Sequence, residues 1–340
     1  MTKITSQDHI NVALSECIYL IKGTLKRMAQ PNYLEALTKA FSGHGIEEKS
    51  LISILGKSHP EHITSFRKTT PFFIDDERQF ERWDDHHIKL LKREFLRFKN
   101  AVVLWAMHPW ERDARLVKDA LKKGPQEYGT IVEIACTRSS EELLGARRAY
   151  HSLFDHSIEE EVATHIKGSD RKLLVALVSA YRYEGNKVKE DTAKSEAKLL
   201  AIALKNVDKK KPTEDEEVLR ILSTRSKPHL MAVYKYYKDV SGKNLDEDLG
   251  ADLIFKVTVE CICTPHNYFS KVLNTALKID ADKNTKKAVT RVIVTRADTD
   301  IKEINGEYQN LFGVSLSKEI EETANGNYKD FLLTLIARGN

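Results

Sequence analysis

Two glycines spaced two apart, Gly43 and Gly45, sit in Phe41-Ser42-Gly43-His44-Gly45, between apolar stretches running from Leu34 to Phe41 and from Leu51 to Leu55. A hard divalent cation such as Ca2+ takes six to eight oxygens at about 2.3–2.6 Å, from carbonyls, carboxylates and water. A tight loop between helices can supply carbonyls only if its backbone turns them inward, and such conformations are open mainly to glycine. The Phe41-to-Gly45 segment has that composition. A second oxygen-rich run, Asp280-x-Asp282-x-Asn284, opens like an EF-hand loop. It fails at the sixth position, where Thr285 replaces the required glycine, and at the twelfth, where Arg291 replaces the bidentate glutamate.

Other chemistry finds no residue set. His86-His87 and His59-x-x-His62 lack nearby ligands, and the cysteines Cys17, Cys136, Cys261 and Cys263 have no zinc spacing. No G-x-x-x-x-G-K-[ST] phosphate loop occurs. No Ser-His-Asp or activated-cysteine constellation can be assembled, so no catalytic residues are expected and the chain is read as a non-enzyme.

The elements that must position these residues repeat. Ile52 to Phe73, Val132 to Phe154, Leu219 to Val240 and Thr290 to Phe312 are versions of one pattern. Three of them carry Thr-Arg after a short apolar run: Thr137-Arg138, Thr224-Arg225 and Thr295-Arg296, with Ser58 in the arginine position of the first. Such a repeat constrains the whole architecture. Ile131, Ile134 and Ala135 have helical i, i+3, i+4 spacing, and Leu143 to Phe154 continue an apolar face. Ser139-Ser140-Glu141-Glu142 is a capping-box candidate. Pro60 and Pro228 fall where a first helical turn tolerates proline. Strongly apolar stretches, Leu91 to Met107, Arg171 to Tyr181, Ala251 to Cys263 and Tyr328 to Ala337, close each module as core helices. No period-2 alternation is long enough to argue for a sheet. The expectation is an all-α protein with about four to five helices per module. The repeated arginines are expected to bond helix ends and acidic partners. Glu184 to Ser195 is polar and lacks an apolar face, so it is read as a linker, and Lys209 to Glu217 as a solvated turn.

Composition bounds the class. The chain has 340 residues, 41% hydrophobic and 31% charged, with net charge +4. That charge is too small to drive polyanion binding alone, but it leaves room for local basic faces that favour acidic surfaces in a salt-dependent way. Nucleic acid is not an expected partner. No apolar run approaches the ~18–20 residues that span a bilayer, and residues 1–30 do not read as a secretion signal. A cytoplasmic protein is expected.

Taken in register four times, these modules resemble the annexin family over roughly residues 31–340. The anchors are Thr137-Arg138-Ser139, Ile221-Leu222-Ser223-Thr224-Arg225-Ser226, Leu104-Trp105, Pro109-Trp110-Glu111-Arg112-Asp113-Ala114 and Gly326-Asn327-Tyr328-Lys329-Asp330-Phe331-Leu332. Trp105 to Ala114, Cys136 and Pro265 to Leu273 are similar to plant annexins in particular. The resemblance implies a curved disc of four five-helix repeats, here divided as an N-terminal tail 1–30 and repeats 31–108, 109–184, 185–275 and 276–340. It also implies Ca2+-dependent binding to acidic phospholipid membranes through loops on the convex face. The chain would be cytoplasmic and become peripheral to the membrane when calcium rises. The alternative is a helical interaction scaffold with calcium-independent, basic-patch binding to a membrane or the cytoskeleton.

By the same resemblance, the carbonyls of Phe41, Gly43 and Gly45 are calcium ligands in the first repeat, with Ile46 in place of the family's threonine. Their distal carboxylate is Glu94 when helix is matched to helix, with the polar stretch Ile74 to Asp84 read as an insertion. Plain counting along the chain reaches Asp85 instead. The fourth repeat has Ala281-Asp282-Lys283-Asn284, with lysine where a glycine would lie, although its expected carboxylate, Glu322, is present. The second (Lys122 to Glu127) and third (Lys209 to Glu217) loops have lost the pattern, and their lysines are expected to meet acidic headgroups directly. Cys136 and Cys261 match a cysteine pair proposed to be redox-active in plant annexins, against which stands an inert buried thiol. Leu219-Arg220-Ile221 resembles a tripeptide proposed to bind F-actin. Peroxidase or nucleotide hydrolase activity has been claimed for some plant annexins, but no residue set here supports either. Oligomeric state is left open.

Overall fold

The structure, a computed structural model, describes residues 49, 73–75, 81–83, 85–205, 211–243, 245–249 and 252–338, and of 73–94 and 246 the backbone alone. The described residues are almost wholly helical, as the apolar periodicity predicts. In chain order they form β1 (Phe73–Asp75), β2 (Glu81–Trp83), α1 (Asp85–Ala106), α2 (Pro109–Lys123), α3 (Tyr128–Thr137), α4 (Ser140–Phe154), α5 (Ile158–His165), α6 (Ser169–Val178) and α7 (Glu190–Lys205). There follow α8 (Glu216–Thr224), α9 (Lys227–Ser241), α10 (Leu245–Asp248), α11 (Leu253–Cys263), α12 (Pro265–Leu277), α13 (Lys283–Arg296), α14 (Ile301–Phe312), α15 (Leu316–Thr323) and α16 (Gly326–Ala337).

The strands are one departure from the sequence reading. β1 and β2 pair antiparallel, with Phe73 opposite Trp83, Ile74 opposite Arg82 and Asp75 opposite Glu81. Three residues per strand cannot display a period-2 pattern, so the ribbon is invisible to periodicity. Apart from Phe73, it falls in the stretch read as an insertion before α1.

A second departure concerns the linker. Residues 190–195 are not linker but the first turns of α7, and Ala193 is fully buried. The apolar face there is carried by the small residues Ala193, Ala197 and Ala201 with Leu200 and Leu204, so bulky periodicity begins late.

The chain divides into two compact units, one of residues 107–268 and one of residues 1–106 with 269–340. In the first, α3 and α11 pack together at the centre. Ile131, Val132, Phe255 and Val259 are all but fully buried there. α2 lies along α4 and α7 along α9. In the second unit α1 packs on α13 and α16. Phe98 of α1 meets Phe331 of α16 edge-on at 6.1 Å between ring centroids.

Local sequence sets the helix starts. Ser139 accepts from the Glu142 N–H at 3.2 Å while the Glu142 carboxylate accepts from the Ser139 N–H at 2.8 Å, closing the expected capping box. Ser157 and Glu160 form a second box at α5. Such reciprocal caps satisfy two otherwise orphaned donors.

Candidate functional site

The repeated arginines stop their helices and each takes a carboxylate. Arg138 caps α3 and grips Asp113 with two donors, Nε at 2.6 Å and Nη2 at 2.8 Å. Arg225 caps α8 and bonds one oxygen of Glu196, from Nε at 2.8 Å and Nη2 at 2.6 Å. Arg296, at the end of α13, binds Asp300 one turn ahead with two bonds of 2.7 Å, and its guanidinium lies over the Phe269 ring. Forked arginine–carboxylate bonds are directional and strong. These arginines are therefore committed to the frame and hold the loops rather than bind a ligand.

The loops bear directly on the ion. The expected first-repeat ligands Phe41, Gly43 and Gly45 lie outside the described residues. Both carboxylate candidates fall on α1, of which residues 85–94 are described by backbone only. At 3.6 residues per turn, positions 85 and 94 lie about half a turn apart around the helix. Position 94 shares a side with Phe98 and Ala101, the side that packs, whereas position 85 lies opposite.

In the second repeat, Gly124 has the positive φ of 95° that glycine permits. The carbonyls beside it are already satisfied. Gln126 Nε2 donates to the Lys123 carbonyl at 2.5 Å, and Glu127 N–H donates to the Gly124 carbonyl at 2.9 Å. Lys123 pairs with Asp119, which leaves Lys122 as the exposed lysine of this loop.

In the fourth repeat, Asp282 is the N-cap of α13. One oxygen accepts from the N–H groups of Asn284 (2.7 Å) and Thr285 (3.2 Å), and the other accepts from the Thr285 hydroxyl at 2.5 Å. The Thr285 hydroxyl and the cap N–H groups hold the Asp282 carboxyl below its usual range despite partial burial. Lys286, one turn into the helix, donates to the carbonyl of Ile279 at 2.7 Å. Glu322 is exposed on α15, with the Lys318 ammonium 4.0 Å away. In this loop the Ile279 carbonyl is thus taken by an ammonium and the Asp282 carboxylate by a helix end, while the expected Glu322 carboxylate stays exposed. Sequence reading flagged Lys283 but missed Lys286, whose role depends on a contact seven residues back.

In the third repeat, residues 206–210 lie outside the described set. Beyond them Pro212–Glu214 form one 3-10 turn, and Asp215 caps α8 through the N–H groups of Glu217 and Val218. Among the described residues, no group of three or more His, Cys, Asp or Glu is placed to hold a metal ion. No described helix is long and apolar enough to cross a membrane.

The other motifs also have definite surroundings. Cys136 and Cys261 are buried, and burial pushes the Cys136 thiol up to about 11, outweighing the pull of Arg182 and Lys227. A thiol is reactive as thiolate, so Cys136 is inert near neutral pH. Of Leu219-Arg220-Ile221, Ile221 is fully buried and Arg220 is paired with Glu217 and Glu196.

Comparison with known proteins agrees with this geometry. The Annexin family model matches residues 112–177, 200–253 and 268–335. Annexin D4 of Arabidopsis thaliana is 54% identical over 320 residues, covering 92% of this chain and 100% of that protein. The annexin-like protein RJ4 of Fragaria ananassa is 40% identical, covering 89% and 94%. Among solved structures, annexin A8 superposes with TM-score 0.64 at 26% identity (91% of this chain, 96% of that one). Chicken annexin V does so with TM-score 0.64 at 25% identity (91% and 97%). With a family model matching more than half its length and plant relatives matching nearly all of it, the chain belongs to the annexin family, whose general activity is calcium-dependent phospholipid binding with Ca2+ as the ion.

Proposed function

We propose that this annexin bridges Ca2+ to acidic phospholipid through its first repeat. The carbonyls of Phe41, Gly43 and Gly45 would hold the ion on one side and a distal carboxylate would complete the protein's share. Water and a lipid phosphate would supply the remaining oxygens. Membrane contact would then be peripheral, from the cytoplasm, and switched on by a calcium rise. The observation that carries this reading is the contrast between loops. Gly43-x-Gly45 keeps the glycines that a carbonyl-presenting turn requires, while in the second and fourth loops carbonyls are bonded by Gln126 and Lys286.

The register of α1 favours Glu94 over Asp85 as the carboxylate. Position 94 lies on the packed side with Ala101, which is fully buried. Position 85 lies on the opposite side, away from the face by which α1 meets its neighbours.

Co-sedimentation with phosphatidylserine-containing vesicles, with calcium and with chelator, tests the proposal. Calcium is expected to raise the bound fraction, and Gly43→Val with Gly45→Val to abolish the rise. Glu94→Gln is expected to weaken it more than Asp85→Asn does. Equal binding with and without calcium would instead support the scaffold reading, with basic-patch contact to a membrane or to F-actin.

A further inference from the structure

We infer that the fourth loop carries its own cation, the Lys286 ammonium, and that it touches anionic lipid directly without calcium. This rests on the reading that the protein binds acidic membranes, but it uses a different repeat and needs no ion.

The structural argument begins with the oxygens. The Ile279 carbonyl faces the Lys286 ammonium at 2.7 Å. The Lys278 carbonyl accepts the Ala281 N–H at 3.2 Å. Both oxygens of Asp282 are spent on the start of α13. A calcium ion needs six to eight oxygens, and at this loop it would have to displace a positive charge already bound to the first of them. The ammonium is tethered, so its local concentration never falls as free calcium falls. The loop therefore keeps its shape at resting calcium.

That fixed loop has a composition suited to a bilayer surface. Ile279, in the turn before α13, is 74% exposed, and an apolar side chain there gains by entering the acyl boundary. Lys278, Lys283 and Lys287 of the same stretch are exposed, the last donating to the Asn284 side-chain oxygen at 3.4 Å. The carboxylates in the same stretch are Asp280 and Asp282, and the second is engaged by the helix end. An exposed apolar side chain in a short stretch with exposed lysines complements an anionic headgroup layer over hydrocarbon. Such binding is salt-sensitive, because exposed charges are screened within about 10 Å at moderate ionic strength.

The experiment uses the full chain with vesicles of equal parts phosphatidylcholine and phosphatidylserine, in chelator. The wild type is expected to retain a bound fraction that falls with salt and is absent on pure phosphatidylcholine. Lys283→Glu with Lys287→Glu, and separately Ile279→Glu, should weaken this chelator-resistant binding at least about tenfold, since each basic residue near the surface contributes on the order of one kcal/mol. The calcium-induced increment should survive in these variants. Conversely, Gly43→Val with Gly45→Val should remove the increment and leave the chelator-resistant fraction, so the two readings fail separately. Calorimetric titration with calcium should be unchanged by Glu322→Gln. No wild-type binding in chelator, no effect of the lysine and Ile279 variants, or a calcium equivalent lost with Glu322 would each overturn the inference.

Discussion

Arg225 and Glu196 meet across 29 residues of sequence, with two guanidinium nitrogens on one carboxylate oxygen at 2.8 and 2.6 Å. The other oxygen lies 2.8 Å from Nε2 of the buried His229, and Arg220 Nη2 reaches the shared oxygen at 3.3 Å. One carboxylate on α7 thus ties the end of α8 to the start of α9.

Removing that carboxylate leaves a guanidinium and a buried imidazole without their partner. Breaking a buried pair from one side typically costs about 3–5 kcal/mol. Glu196→Ala is expected to lower the denaturant midpoint by that order, whereas Glu217→Ala, on the exposed arm of Arg220, changes it little. Equal effects of the two substitutions would contradict the assigned geometry.

The same carboxylate predicts an acid limit. Burial alone would raise the Glu196 pKa, but bonds from Arg225 and His229 outweigh it and hold the group below 4.5, its ordinary value. A group with a depressed folded pKa contributes stability that is present above the unfolded value and lost as pH falls through the folded one. Thermal midpoints should therefore drop below about pH 4.5, and drop less steeply in Glu196→Gln, which has no carboxyl to protonate at this position.

Arg182 is a second tie. Its guanidinium donates to the carbonyls of Arg225 and Leu222, each at 2.6 Å, at the C-terminal end of α8. Next to it Glu184 accepts from the Ser140 N–H at 2.7 Å at the start of α4. Arg182→Ala strands two carbonyls, at about 1–3 kcal/mol for each buried polar group left unsatisfied. Hydrogen exchange should show faster opening in α8 than in α13, and uniform loosening would argue against a local role.

Gly145 on α4 faces the Trp110 indole so closely that a Cβ there would overlap the ring. Gly145→Ala is expected to destabilise by about 1–3 kcal/mol through overpacking. Its combination with Trp110→Leu should recover part of the loss. Additive losses in the double variant would mean the two do not touch.

Native thiol labelling gives a fifth check. Cys136 and Cys261 should resist iodoacetamide at pH 8 until the protein is unfolded, because burial denies access to both and also holds Cys136 as the thiol. Of the three described cysteines, Cys263, only partly buried, should react first. Ready formation of a Cys136–Cys261 disulfide in the native protein would reverse this reading.

Much of the frame was legible in the residues because it is governed by neighbours three or four apart. Apolar spacing located the helices, Ser139 with Glu142 marked a start, and the recurring Thr-Arg marked the stops and the family. The three-residue strands and the alanine-faced start of α7 escaped, since neither displays enough of its period. Tertiary structure alone decided what each arginine grips, because Asp113 and Glu196 lie 25 and 29 residues from their partners. It also decided the fate of the fourth loop. Sequence showed a lysine in place of a glycine, but only folding brings Lys286 back onto the Ile279 carbonyl. Which oxygens remain free for an ion depends on that three-dimensional competition among donors, and no residue pattern records it.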